Sequence, residues 1–192
     1  MLFLISVNTN CKAMIKQGET ITNVRTGQKM TFLKTWLETN GTHLQIECES
    51  PVSNTREHLH FHPFQKNRFQ IISGELSFQI NGKIKKAQQG DIISIPKNIP
   101  HEFWNGGNVE AVYIQEFYPA LKIDQLFETF FALARDGKLN KKGKPNIFRA
   151  SLIMLHFENE LRLAKPSWTL QKLVFKILAP VGKLLGYTAL YE

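Results

Sequence analysis

Cysteine is scarce in this chain: only Cys11 and Cys48 occur in 192 residues. Two thiols cannot build a disulfide framework for a protein of this size, so a reducing, cytoplasmic location is expected. Long hydrophobic runs are also missing. No stretch of roughly 18 apolar residues escapes interruption by charge, which excludes a conventional membrane-spanning helix. The apolar N-terminus, Met1 to Val7, is brief and has neither a basic start nor a small-residue cleavage site, so it does not read as a signal peptide. Glycine-rich nucleotide fingerprints are lacking too, because Gly74, Gly82 and Gly90 are spaced as strand turns. The lysines between 138 and 144 have no aromatic residues among them, and a solvated loop accounts for them better than nucleic acid does. Helical periodicity is absent until about residue 121.

A hydrophobic content of 43% with 21% charged residues describes a globular chain and not a disordered one. Its length allows one good core and a small appendage. The net charge of +8 is unevenly placed. Residues 1–120 hold 12 Lys and Arg against 10 Asp and Glu, whereas residues 121–192 hold 12 against 6. Any anionic surface the protein meets is therefore expected to meet the C-terminal region.

Short alternating runs fill the first 120 residues. Residues 28–37 and 42–48 read as two strands joined at Asn40-Gly41, a hairpin signal, with Cys48 a buried strand residue. Residues 23–27 form a turn-rich lead-in, and Pro51 and Asn54 keep 49–57 irregular. Further strands are predicted over 68–73, 76–80, 83–88, 92–95, 101–104 and 109–117. Gly74-Glu75, Asn81-Gly82 and Gly106-Gly107 supply the turns between them. So many short strands argue for an all-β sandwich or barrel, which can hold one small ligand when its inward residues are not all apolar.

The period then changes. Ile123, Leu126, Phe127, Phe130, Phe131 and Ala134 recur at steps of three and four, which predicts a helix over 122–135 stopped by Gly137. A second helix is predicted over 147–163 and a third over 169–185, with Pro180 expected to kink or split it. Leu173, Val174, Ile177 and Leu178 give that third helix an apolar side, with Lys172, Lys176 and Lys183 beside it. Such helices either cover the barrel, pack across a dimer, or make a peripheral membrane contact.

Half of the chain's six histidines fall in His58-Leu59-His60-Phe61-His62. In an extended segment, side chains two apart share a face, so the three imidazoles point into one volume. Downstream lies Gly90-Asp91-Ile92-Ile93-Ser94-Ile95-Pro96-Lys97-Asn98-Ile99-Pro100-His101-Glu102-Phe103-Trp104-Asn105. Together the two stretches resemble the two motifs of the cupin superfamily. The first motif falls on His60, His62, Asn67 and Gly74, and the second on Gly90, Pro96, Asn98, His101 and Asn105. Spacing fits throughout, but Asn67 stands where the family usually has a glutamate ligand and Asn98 where it has glycine. Asn tolerates the left-handed backbone better than other non-glycine residues, so the second change is mild.

The resemblance spans about residues 22–118 and implies a double-stranded β-helix, the jelly-roll barrel of single-domain cupins. Residues 1–120 would form the barrel and 121–192 a helical C-terminal extension. It also implies a divalent metal (Zn, Fe, Mn or Ni) on His60, His62 and His101, with Asn67 at the fourth position, and a homodimer. An amide oxygen at Asn67 can ligate but brings no charge. His58 is left as a spare ligand, a supporting donor or a rim residue. By strand parity Phe69, Ile71, Phe78, Ile80, Ile95 and Phe103 would wall the site, with Gln65, Gln79 and Gln115 as candidate polar contacts. Glu102 alternates away from His101 and Glu75 lies in a turn, so no carboxylate is placed for acid-base work. The expected function is small-molecule binding, with or without the metal. A metal-dependent enzyme of oxygenase or isomerase type is the alternative, and a membrane-interface protein with a vestigial pocket is the third.

Overall fold

Alternation of large apolar with polar residues decides the first strands in the computed structural model, which describes residues 15–53, 56 and 58–191. Cys11 and the segment Met1 to Val7 lie outside the described residues. Strand β1 (Thr20–Thr22) pairs with β2 (Lys29–Lys34), and β2 pairs with β3 (Leu44–Ser50). These strands bury Met30, Phe32, Leu44, Ile46 and Cys48 at every second position. The expected antiparallel pairing is therefore present, but its connection differs. The first strand ends at Lys34, and Trp36–Thr39 forms a single helical turn, α1. Thr35 caps it, and the Glu38 carboxylate accepts from the Thr35 N–H at 2.8 Å. This reciprocal capping box satisfies two helix-end donors and takes residues 36–39 out of the strand. Asn40 and Gly41, both at positive φ, then turn the chain into β3.

The remaining barrel strands are β4 (His60–Phe61), β5 (Lys66–Ser73), β6 (Glu75–Ile80), β7 (Lys83–Gln88), β8 (Ile92–Ile95), β9 (His101–Trp104) and β10 (Ala111–Tyr118). One sheet has the order β1-β2-β3-β10-β5-β8. The other, completed by β11 (Arg162–Leu163), runs β11-β4-β9-β6-β7. Every strand pairing among the described residues is antiparallel. Gly74 separates β5 in the first sheet from β6 in the second; its φ is +75° and a Cβ there would lie 2.6 Å from the Glu110 carbonyl oxygen. Only glycine combines that conformation with that approach. Glu75 is the first residue of β6 and not part of a turn.

The two sheets close on an aromatic core. The ring of Phe69 (β5) meets Phe78 (β6) at 5.0 Å and Phe103 (β9) at 4.9 Å, both near edge-on. All three are buried, and each such side chain contributes about 1.5–3 kcal/mol by leaving water. This architecture is a double-stranded β-helix, as the two motifs imply.

After the barrel, α2 (Ile123–Arg135) adds Ile123, Leu126, Phe131 and Leu133 to the same core. The predicted second helix is shorter than its periodicity suggests. It ends at His156 as α3 (Ile147–His156), and the chain then turns to form β11 along β4. The third helix, α4 (Trp168–Leu184), runs through Pro180 unbroken. Pro180 and Lys176, whose carbonyl loses the i+4 donor, are both exposed, so water can take the missing partner's place. Helices α3 and α4 pack together where Gly182, lacking a side chain, approaches the Phe148 carbonyl and Leu152.

Candidate metal centre

Strand β4 ends beside the middle of the second sheet, and this sets the site. His60 stands directly across from His101 of β9 in the antiparallel register. His101 thus comes from the adjacent hydrogen-bonded strand of the same sheet, not from a facing one. His62, two residues on, shares the His60 face. Ring centroids are 4.5 Å apart for His60 and His101, 5.1 Å for His60 and His62, and 5.3 Å for His62 and His101. All three residues are buried, and they present one nitrogen each within 4.8 Å of one another.

The outer nitrogens explain how the rings are held. Nδ1–H of His60 donates to the His58 carbonyl at 2.7 Å, that of His101 to the Ile99 carbonyl at 2.8 Å, and that of His62 to the Glu160 carbonyl at 2.6 Å. A carbonyl oxygen can only accept, so each Nδ1 carries the hydrogen and each Nε2 keeps its lone pair. The Nε2 atoms of His62 and His101 are buried without a hydrogen-bond partner. Burial also keeps the rings neutral. It pulls the His62 imidazolium pKa down to about 3 and lowers that of His101. His60 falls well below its ordinary value through burial, with the two neighbouring imidazoles adding to the effect. Neutral imidazoles that present one nitrogen each to a common point, with backbone carbonyls behind them, are a donor set that suits a first-row divalent metal.

Asn67 lies on β5 of the opposite sheet, buried and in phase with Phe69 and Ile71. Its Oδ1 accepts from Gln115 Nε2 at 3.4 Å, and its Nδ2 has no partner. Its cross-strand neighbour Phe117 packs edge-on against His62 at 5.3 Å. Among the described residues, no carboxylate joins the three histidines. Glu75 pairs with Lys86 at 2.9 Å and Glu102 with Arg56 at 3.2 Å, both away from the cluster. Gln65 spends its amide on the Pro119 and Ala120 carbonyls, and Gln79 faces Arg56. The exposed His58 side chain stands outside the cluster, while its carbonyl orients His60. Asn98 has a φ of +65°, and its N–H donates to the His62 carbonyl at 2.9 Å. Asn105 ties the following loop to the Ser50 and Val109 carbonyls.

Glu160 is the residue that sequence reasoning missed. Its carbonyl receives His62, and β11, two residues on, pairs Arg162 with Phe61 and Leu163 with His60. The Ala164 N–H adds a bond to the Leu59 carbonyl at 3.0 Å. The C-terminal extension therefore forms the edge strand beside the histidine strand. The Glu160 carboxylate is itself buried: Oε1 accepts from the Lys122 N–H at 3.2 Å, Oε2 has no partner, and burial pushes the carboxyl pKa up.

A cavity of about 290 Å³ opens on the His60 side of the cluster. Its wall includes His60, Phe103, Trp104, Phe127 and Phe130, with Arg56 among the polar groups. The Arg56 guanidinium lies 4.0 Å over the Trp104 ring. An apolar wall with a few polar groups suits a small organic ligand.

Residues 49–115 match the family model described as Cupin domain. No curated protein matches the chain. Among solved structures it is similar to a predicted oxalate decarboxylase from Thermotoga maritima, with 21% identity over 56% of this chain and 99% of that one, at a TM-score of 0.48. It is also similar to an RmlC-like cupin from Shewanella frigidimarina, with 20% identity over 58% and 92% of the two chains, at a TM-score of 0.47. A conserved protein with a double-stranded β-helix domain from Klebsiella pneumoniae shares 17% identity over 57% and 80%, at a TM-score of 0.43.

Proposed function

Because this chain carries a cupin domain, we propose that it binds a small organic molecule beside a divalent metal held by His60, His62 and His101, with Asn67 as an uncharged neighbour in the fourth position. The observation that supports this most is the pair of buried, unpartnered Nε2 atoms, each fixed by an Nδ1–H bond to backbone. A buried polar atom left without a partner costs roughly 1–3 kcal/mol, and a metal ion would satisfy all three lone pairs together. When bound, such an ion supplies Lewis acidity to whatever oxygen it contacts.

The protein's own residues do the rest. Phe103, Phe127 and Phe130 give the cavity an apolar wall, and Arg56, braced on Trp104 and Glu102, offers a cation at its edge. That combination favours an organic acid with an apolar body. With no carboxylate beside the histidines among the described residues, the site is poorly supplied for proton transfer, so reversible binding is favoured over turnover. A metal-dependent enzyme of oxygenase or isomerase type is the second reading, and it draws on the donor count, since three protein ligands leave positions open to water or substrate. Calorimetric titration of the metal-loaded protein with small aromatic and aliphatic carboxylates tests the first reading. Saturable binding that weakens in Arg56→Ala with the ligand recovered unchanged supports it; a ligand recovered chemically altered moves the assignment to the enzyme.

A further inference from the structure

Helix α4 presents an unassigned face. Leu170, Leu173, Val174, Ile177, Val181 and Leu184 recur at helical steps and are 41–88% exposed. The opposite face is seated: Gln171, Phe175, Ala179 and Gly182 are buried, and a Cβ on Gly182 would stand 2.8 Å from the Phe148 carbonyl. The helix therefore cannot roll its apolar stripe inward without losing that close packing. At the stripe's border, Lys172, Lys176 and Lys183 form one row, as their spacings of four and seven dictate. Lys172 is tied to Glu158 at 2.6 Å, while Lys176 and Lys183 are exposed. The sequence from 161 to 191 has five Lys and Arg and no acidic residue.

Two occupants could cover such a stripe, and charge decides between them. A second copy joined through α4 about a two-fold axis would bring two lysine rows into one interface, where Glu158 answers Lys172 but no carboxylate on either helix answers Lys176 and Lys183. An anionic bilayer answers both features, because the apolar stripe enters the headgroup boundary while the lysines meet lipid phosphates. No helix among the described residues is long and apolar enough to cross a membrane. We propose that α4 is a docking face which lies in the plane of an anionic membrane surface and holds the barrel against it.

The test is co-sedimentation of the full chain with phosphatidylcholine vesicles prepared with and without phosphatidylglycerol. Binding is expected with phosphatidylglycerol at low salt, and it should weaken as salt rises. The Lys176→Gln/Lys183→Gln double variant should bind about 30-fold less tightly, at about 1 kcal/mol per lysine. Ile177→Glu should abolish binding, while its circular dichroism and thermal unfolding stay unchanged because the residue is exposed. No vesicle binding, or binding indifferent to Ile177→Glu, overturns the proposal. So does a dimer in solution that Ile177→Glu dissociates in the absence of vesicle binding.

Discussion

Acidification of the metal-free protein should unfold it by an amount set largely by the three imidazoles. His62 takes up its proton at about pH 3 in the folded state and at about 6.5 when unfolded. Between those values the unfolded chain holds a proton that the native one lacks, so stability is fully present above pH 6.5 and is lost as pH falls. Each unit of separation is worth about 1.36 kcal/mol, which makes the whole His62 contribution about 5 kcal/mol, with about 2 kcal/mol lost by pH 5. His60 and His101 shift in the same direction and steepen the slope. The assay is urea unfolding of chelator-treated protein at pH 7.5, 6.5, 5.5 and 5.0, for the wild type and His62→Gln. The variant is less stable at pH 7.5, but its loss between pH 7.5 and 5.0 should be smaller by about 2 kcal/mol, one proton's worth. Identical pH slopes for the two proteins would refute the argument, since His62 would then titrate alike in both states.

Three further outcomes follow from the site. Asn67→Glu places a carboxylate where the family motif has one. It should tighten metal binding at least about tenfold while destabilising the metal-free protein by about 1–3 kcal/mol, as read by chelator competition and urea unfolding. Unchanged metal affinity would remove Asn67 from the fourth position. Glu160→Gln keeps an oxygen for the Lys122 N–H but removes a buried charge, so it should raise stability at pH 8, and that gain should shrink as pH falls and the wild-type carboxyl, whose pKa burial raises, takes up its proton. A loss of stability at pH 8 would contradict this. Ala164→Pro deletes the N–H that bonds the Leu59 carbonyl, which should cost about 1–3 kcal/mol and loosen the Glu160 carbonyl from His62. Metal affinity should then fall about 10- to 100-fold, measured by competition. Retained affinity in a destabilised protein would show that the extension does not help hold the ring.

Much of the barrel was legible because its signals are local. Met30, Phe32, Leu44, Ile46 and Cys48 alternate, Asn81-Gly82 has the backbone its hairpin needs, and Asn98 takes the left-handed conformation that its glycine-like position demands. The histidines were legible for the same reason: a spacing of two puts His60 and His62 on one face, and the second motif adds His101. What failed was of two kinds. Thr35 and Glu38 carry a capping box, but the nearby Asn-Gly signal drew the reading to a hairpin, and the stronger local bond pattern prevailed. Strand β11 has no period of its own, since two residues become a strand only by pairing with β4, a hundred positions earlier in the chain. Glu160 was hidden with it, because its part in the site is played by a backbone carbonyl that any residue type could supply. Pro180 shows the converse: a breaker in sequence is tolerated where the orphaned carbonyl can reach water.

The three-histidine site stands or falls on metal content. Protein purified without an affinity tag, stripped with chelator and re-equilibrated separately with Zn, Fe, Mn and Ni, should retain one ion per chain for at least one of these metals after gel filtration. His60→Ala, His62→Ala and His101→Ala should each lose it while keeping the β-rich circular dichroism of the parent. Wild-type protein that emerges metal-free from all four, or retention that survives these substitutions, would contradict the account.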